Sequence, residues 1–174
     1  GSFWQSLRTR RPIKAVQQFI DIYSRTDLVW DDLAFLRAKT RLPIVLKGIM
    51  CAEDARLGLQ AGANGIWVSN HGGRQLDGSR TALDALGEVV AAIEGRAPVF
   101  FDSGVRAGAD VFKALALGAT AVGLGRPFAH GLAVAGEDGV HEVIQNTLAE
   151  LDLCMAFAGC RSLDDVRSSR LLRE

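Results

Sequence analysis

The stretch GIWVSNHGGRQLD, residues 65–77, decides the fold. Its first five residues form a short apolar run, as expected of a parallel strand covered on both faces. The run ends in Ser69, and a polar segment with His71, two glycines and Arg74 follows at once. Glycines let a backbone turn sharply or come close to a ligand. Histidine moves protons near neutral pH. Arginine offers a planar fork that suits a carboxylate. An apolar strand that delivers such a set at its C-terminal end is the unit to look for elsewhere.

Three more runs have the same form: LPIVLKGI at 42–49, PVFFD at 98–102 and AVGLG at 121–125. Each of the four runs is followed by a segment with helical spacing, over 52–61, 82–94, 109–117 and 139–158. Glu53 and Asp54 suit a helix N-terminus. A helix from Asp31-Asp32 to about Thr40 precedes the first run, with Leu33, Phe35 and Leu36 as inward candidates. Residues 15–23 carry Ala15, Val16, Phe19, Ile20 and Tyr23 at helical spacing, and residues 1–12 are polar and rich in arginine. We divide the chain into a loop and helical lead-in, 1–26, and an α/β body, 27–174.

Strands that alternate with helices imply a parallel sheet with right-handed crossovers. An open doubly wound sheet and part of a (β/α)₈ barrel both satisfy this. Lys47, Ser69 to His71, Asp102 and Gly125-Arg126 all fall at or just after the C-terminal end of a strand. In a barrel those ends converge on one site. An open sheet concentrates its chemistry at one switch point. Four strands offering polar groups at the same end favour the barrel. A barrel has eight strands and the sequence shows four, so the chain is either a fragment of a (β/α)₈ barrel or a half-barrel that must find a partner.

Composition removes several classes. The 174 residues hold 20 Lys+Arg against 20 Asp+Glu, and 48% are hydrophobic. No basic excess points to nucleic acid, and no apolar stretch approaches the roughly 18 residues of a membrane span. Cys51, Cys154 and Cys160 are widely spaced and form no metal-ligand pattern. They fit a reduced, cytoplasmic chain, and no metal is expected. Gly1-Ser2 reads as a cut end, with no signal peptide after it.

Lys47 at a strand end could stabilise negative charge on a ligand, although a lysine that snorkels to solvent is the commoner case. DSGVR at 102–106 and GRP at 125–127 are successive strand ends that pair small residues with an arginine. Such loops present N–H groups to an anion, and a phosphate site after strands seven and eight is common in barrels. His130 and His141 read as helix decoration, and Trp30 and Trp67 as core.

LPIVLKGI, SNHGGRQLD, DSGVR, KALALGA at 113–119 and GRP together resemble the FMN-dependent 2-hydroxy-acid dehydrogenases and oxidases: glycolate oxidase, lactate oxidase, lactate monooxygenase, mandelate dehydrogenase and flavocytochrome b2. The resemblance covers about 27–168, and residues 22–37 are closest to the lactate monooxygenase branch. It implies oxidation of a small, lactate-like 2-hydroxy acid to the 2-oxo acid, with FMN as cofactor. Lys47 would stabilise the reduced ring and Ser69 would contact the flavin. His71 would take the substrate hydroxyl proton, and Arg74 would bind the carboxylate alongside His71. Asp102, Ser103, Gly104, Val105 and Arg106, with Gly125 and Arg126, would hold the ribityl chain and phosphate. Many members carry Gly where this chain has Ser103.

The family's first four strands are missing from the sequence, and with them substrate-binding tyrosines and the Asp that pairs with the catalytic His, so the resemblance implies the C-terminal half, strands 5–8, of a (β/α)₈ TIM barrel. The expected partners are therefore the 2-hydroxy acid and either an N-terminal half-barrel or further copies of this chain in a homo-oligomer. Two other readings compete: a non-redox phosphate-binding barrel fragment, and an inactive or engineered half-barrel that self-associates.

Overall fold

The computed structural model describes residues 11–23 and 27–169. The loop expected over 1–12 lies almost wholly outside them. The elements in chain order are α1 (Arg11–Tyr23), α2 (Asp32–Lys39), β1 (Val45–Ile49), α3 (Ala52–Gln60), β2 (Gly65–Val68), a 3₁₀ turn (His71–Gly73), α4 (Ala82–Ile93), β3 (Val99–Phe101), α5 (Gly108–Ala116), β4 (Ala121–Val122), α6 (Arg126–Phe157) and α7 (Leu163–Ser168). All four strands are parallel, and their order in the sheet is their order in the chain.

The register sorts side chains into two faces, because successive residues of a strand point to opposite sides. Leu46, Ile66 and Val99 lie in one row, and Val68, Phe101 and Val122 in another. Both rows face the helices. Ile66, Val68, Val99 and Phe101 join Ala55 of α3, Leu86 and Val89 of α4 and Ala114 of α5 in a single buried core. Lys47, Trp67, Phe100 and Ala121 form the alternate row. It faces away from that core, and its members are half-buried or exposed. Helices on one face, and strand ends converging on the other, make four consecutive (β/α) units of a barrel wall.

The helices are well bounded. Thr81 caps α4 by accepting from the Asp84 N–H, and Ser162 with Asp165 forms a capping box on α7. The Glu150 carboxylate reaches across from α6 and accepts the Gly108 N–H at 2.7 Å, at the start of α5. That contact is possible only because residue 108 is glycine: a Cβ there would meet the Leu151 backbone nitrogen at 2.2 Å.

Several expectations need correction. Of the three inward candidates on α2 only Leu33 is buried; Phe35 is 63% and Leu36 48% exposed. The helix is two turns long, and one stripe of it reaches the core. The strands are shorter than the apolar runs, most of all β4, which keeps two residues of the expected five. It is an edge strand, paired on one side only. The helix expected at 139–158 begins at Arg126 and breaks at Ala135 and Gly136 (φ 60°). The two arms pack so tightly that a Cβ on Gly139 would meet the Gly131 carbonyl oxygen at 2.0 Å. Trp67 is not a core residue but stands on the open face. Trp30 is only partly covered, against α3 near Gly58.

No helix among the described residues is long and apolar enough to cross a membrane. No cluster of side chains among them could hold a metal. All three cysteines are free thiols.

Candidate functional site

The C-terminal ends of the four strands surround an open cleft of about 650 Å³, lined by Lys47, Trp67, residues 70–74, 102–106 and 123–127, and part of the loop before α4. The loop ends thus bring nearly every residue singled out in the sequence to one place. Ser69 lies just beneath the lining, 2% exposed.

The centre is an ion pair. Lys47, the middle residue of β1, lies 3.2 Å from Asp102, which follows the last residue of β3. Lys47 also donates to Ser69 Oγ at 2.8 Å, and its ammonium sits 5.8 Å from the centroid of the Trp67 ring. The Asp102 carboxylate accepts from both neighbouring hydroxyls, Ser69 in a short bond and Ser103 at 2.8 Å. Partial burial pushes the Asp102 pKa up. The hydrogen bonds from Ser69, Ser103 and Lys47, with the charge of Lys47, outweigh burial and hold it below the ordinary value. Asp102 is therefore a carboxylate whose two oxygens are already engaged. It is a fixed anchor for Lys47 more than a free acceptor for a ligand.

The 3₁₀ turn carries His71 over this centre. His71, Gly72 and Gly73 have φ of 57°, 65° and 73°, three left-handed residues in succession. Glycine takes that conformation freely, whereas His71 does so at a cost of about 1–2 kcal/mol. Each N–H of the turn has a partner. His71 N donates to Ser69 Oγ at 3.1 Å, Gly72 N to Ser103 Oγ at 3.1 Å, and Gly73 N to the Asn70 side chain at 3.3 Å. Arg126 Nη2, from the start of α6, donates to the Gly72 carbonyl in a short bond. A Cβ on Gly72 would meet that nitrogen at 2.6 Å. The φ of 65° is what favours glycine at residue 72, since the Arg126 contact is with the tip of a flexible side chain.

The imidazole of His71 and the guanidinium of Arg74 are exposed and line the same cleft. Among the described residues no carboxylate pairs with either. Arg106 is exposed on the cleft wall, and its backbone N–H donates to Asp110. Val105 is buried in the core, leaving only its backbone to a ligand. Gly104 and Gly125 have open space at the Cβ position, so their backbones are approachable.

Two contributors were missed in the sequence. Asn70 braces the turn, and its residue type, common in turns, was an available signal. Trp67 floors the cleft, with its ring centroid 5.5 Å from that of Phe100 and Gly123 leaving room for it. The Trp67 Nε1–H is buried without an acceptor among the described residues. Strand alternation from Ser69 could have placed it.

These features fit a flavin mononucleotide. The volume lies in the ordinary range for cofactor sites, roughly 300–1,000 Å³. The wall supplies a fixed ammonium, an indole N–H in want of an acceptor, and cationic side chains beside Gly-bearing loops.

Comparison with known proteins gives the same answer. The chain is 49% identical to 2-hydroxyacid oxidase 2 of Rattus norvegicus, over 93% of this chain and 46% of the relative. It is 55% identical to glycolate oxidase of Spinacia oleracea, over 83% and 39%. Among solved structures, one from Pediococcus acidilactici described as a lactate oxidase superposes with a TM-score of 0.85 at 41% identity, covering 93% of this chain and 45% of that one. A mandelate oxidase with benzoyl-formic acid gives 0.77 at 50% identity, covering 80% and 42%. The chain thus spans less than half the length of each, as four strands of an eight-stranded barrel should. A non-redox phosphate-binding barrel is set aside. The model of the FMN-dependent dehydrogenases matches residues 2–173, which takes in the whole sheet and the whole cleft, and the chain belongs to that family.

Proposed function

We propose that this chain is the active-site half of an oxidase that converts a small, lactate-like 2-hydroxy acid to its 2-oxo acid with FMN. The observation that carries this is the juxtaposition of His71 and Arg74 above the Lys47–Asp102 pair, in one cleft at the strand ends. Bound FMN supplies the acceptor for two electrons. The rest is done by the chain's own side chains. Arg74 grips the substrate carboxylate through its planar fork and sets the α-carbon beside His71. A ring nitrogen of His71 takes the hydroxyl proton. Lys47, fixed by Asp102 and Ser69, holds positive charge at the floor of the cleft and would stabilise the reduced cofactor. Arg106, Arg126 and the backbones of Gly104 and Gly125 would hold the phosphate, and Asp102, Ser103 and the Val105 backbone would hold the ribityl chain.

We keep the lead-in, 1–26, and the barrel half, 27–174, as separate units, on the support that all four strands among the described residues fall in the second. We place the protein in the cytoplasm, on the support of its three free thiols. An (S)-2-hydroxyacid oxidase of Arabidopsis thaliana among the relatives is peroxisomal, so cell fractionation is the test. The open inner row supports closure by an N-terminal half or by further copies in a homo-oligomer.

The activity is tested on the full-length protein. Anaerobic addition of L-lactate, glycolate or mandelate should bleach the oxidised flavin spectrum. Failure of all three to reduce a tightly bound flavin would overturn the reading.

A further inference from the structure

Ser103 stands in an unfavourable conformation that its hydrogen bonds account for. Its φ is 85°, where side chains are rarely tolerated. It is the residue before Gly104, in a loop where a glycine would sit without strain. Backbone strain of this kind persists where its surroundings over-determine it. Here the surroundings are explicit. Ser103 Oγ has one proton, donated to Asp102 Oδ1 at 2.8 Å. That leaves its lone pairs for the Gly72 N–H, which donates to it at 3.1 Å. Ser69 repeats the arrangement one residue earlier in the turn: its proton also goes to Asp102, and it accepts the His71 N–H at 3.1 Å.

We infer that Ser103 is a positioning residue: with Ser69 it transmits the fixed orientation of the Asp102 carboxylate to the backbone of the His71 turn, and so sets where the His71 ring stands. The geometry has a direction. A carboxylate can only accept, so both hydroxyls must point their protons at Asp102, and both must then accept from the turn. Arg126 closes the clamp from the other side through the Gly72 carbonyl. Asp102 also holds Lys47. One carboxylate on β3 therefore places the two groups that would flank the reacting atoms, the ammonium on β1 and the imidazole after β2. The placement of His71 over a substrate rests on the oxidase reading above; the brace itself does not.

The test uses the full-length, FMN-loaded protein. Ser103→Ala removes the hydroxyl, and Ser103→Gly removes the hydroxyl together with the strain. Amide hydrogen exchange at Gly72 should quicken about five- to tenfold in both, as loss of one hydrogen bond implies. Exchange at Ile66 and Val68 should not change. Flavin reduction by L-lactate, read per bound FMN, should slow by a similar factor. Ser103→Gly should do this while melting at or above the wild-type temperature, which a merely structural role would not allow. Wild-type exchange at Gly72 in Ser103→Ala overturns the brace, and if that variant does not fold, the same comparison in Ser103→Gly decides. If lactate fails to reduce the wild-type flavin, the oxidase reading has failed, and Gly72 exchange alone still decides the brace.

Discussion

Phe100 and Phe101 are neighbours in sequence and face opposite ways. Phe101 is 2% exposed, packed with Ile66, Val68 and the helices. Phe100 shares its row with Lys47, Trp67 and Ala121, and the solvent reaches it. The outer face of the sheet is a finished core, supplied entirely by the chain's own helices. The inner face is unfinished: Val45 on that side is 38% exposed, and no described element covers the row. The two faces differ in what this chain itself supplies: its helices satisfy the outer face, and no described element covers the inner one.

The sharpest way to break this comparison is to purify the 174-residue chain alone. An uncovered inner row and two strand edges should drive it into oligomers or aggregates, without lactate turnover. Sedimentation analysis and a turnover assay check this; a monomer with tightly bound FMN and substantial turnover would contradict it.

Next is the phenylalanine pair. Phe101→Ala should destabilise by about 3–5 kcal/mol, as an aromatic deletion in a closed core does. Phe100→Ala in the same chain should cost only about 1 kcal/mol, chiefly its contact with Trp67. Denaturant melts of both variants read the difference directly. Equal losses would mean that the inner face is already covered.

Replacing His71 by Ala touches neither face and should spare stability and FMN content. It should lower the rate of flavin reduction in the complete protein by roughly 10²-fold or more. Stopped-flow absorbance checks it, and a near wild-type rate removes His71 as proton acceptor. Arg126→Ala comes lower, with FMN affinity expected to fall by about 1.5–3 kcal/mol, the worth of a charge-assisted hydrogen bond. A flavin titration that shows unchanged affinity removes Arg126 from the phosphate site.

The smallest effect is on acid stability. The Asp102 pKa is lower in the fold than the unfolded value of about 3.9. Its contribution is therefore fully present above that value and is lost as pH falls through the lowered one. Melting temperatures of wild type should drop across that window more steeply than those of Asp102→Asn. Parallel curves would show that the Lys47–Asp102 pair adds nothing to stability.

The strands were legible because an apolar run between polar turns has few other uses, and residues 65–69 and 98–102 were placed to within a residue or two. The site was legible because Lys47, His71, Arg74, Asp102 and Arg126 interrupt those runs at the same end. What escaped has a common cause. The first arm of α6 carries Gly131, and Gly136 and Gly139 follow, a composition that argues against helix locally. Gly131 and Gly139 allow the close packing between the two arms and Gly136 takes the positive φ of the break, and no local pattern reveals either. The roles of Ser69, Asn70 and Ser103 likewise depend on atoms 31–34 residues away or on the turn's left-handed geometry, and a single strand end does not disclose them. Phe35 and Leu36 show the converse: apolar residues at helical spacing need a neighbour to face, and α2 has one for Leu33 only.

The strand order carries a consequence for how the chain is made. Every pairing joins consecutive strands, so none waits for a distant segment to emerge. Synthesis can add one unit at a time, each new strand docking on the edge left by the last and its helix closing the outer core behind it. Growth of this kind has no internal stop signal. When β4 has docked, its free edge is still a template, and a strand from another chain can pair with it. Barrel closure, the meeting of the last edge with the first, is the arrangement that leaves no such template.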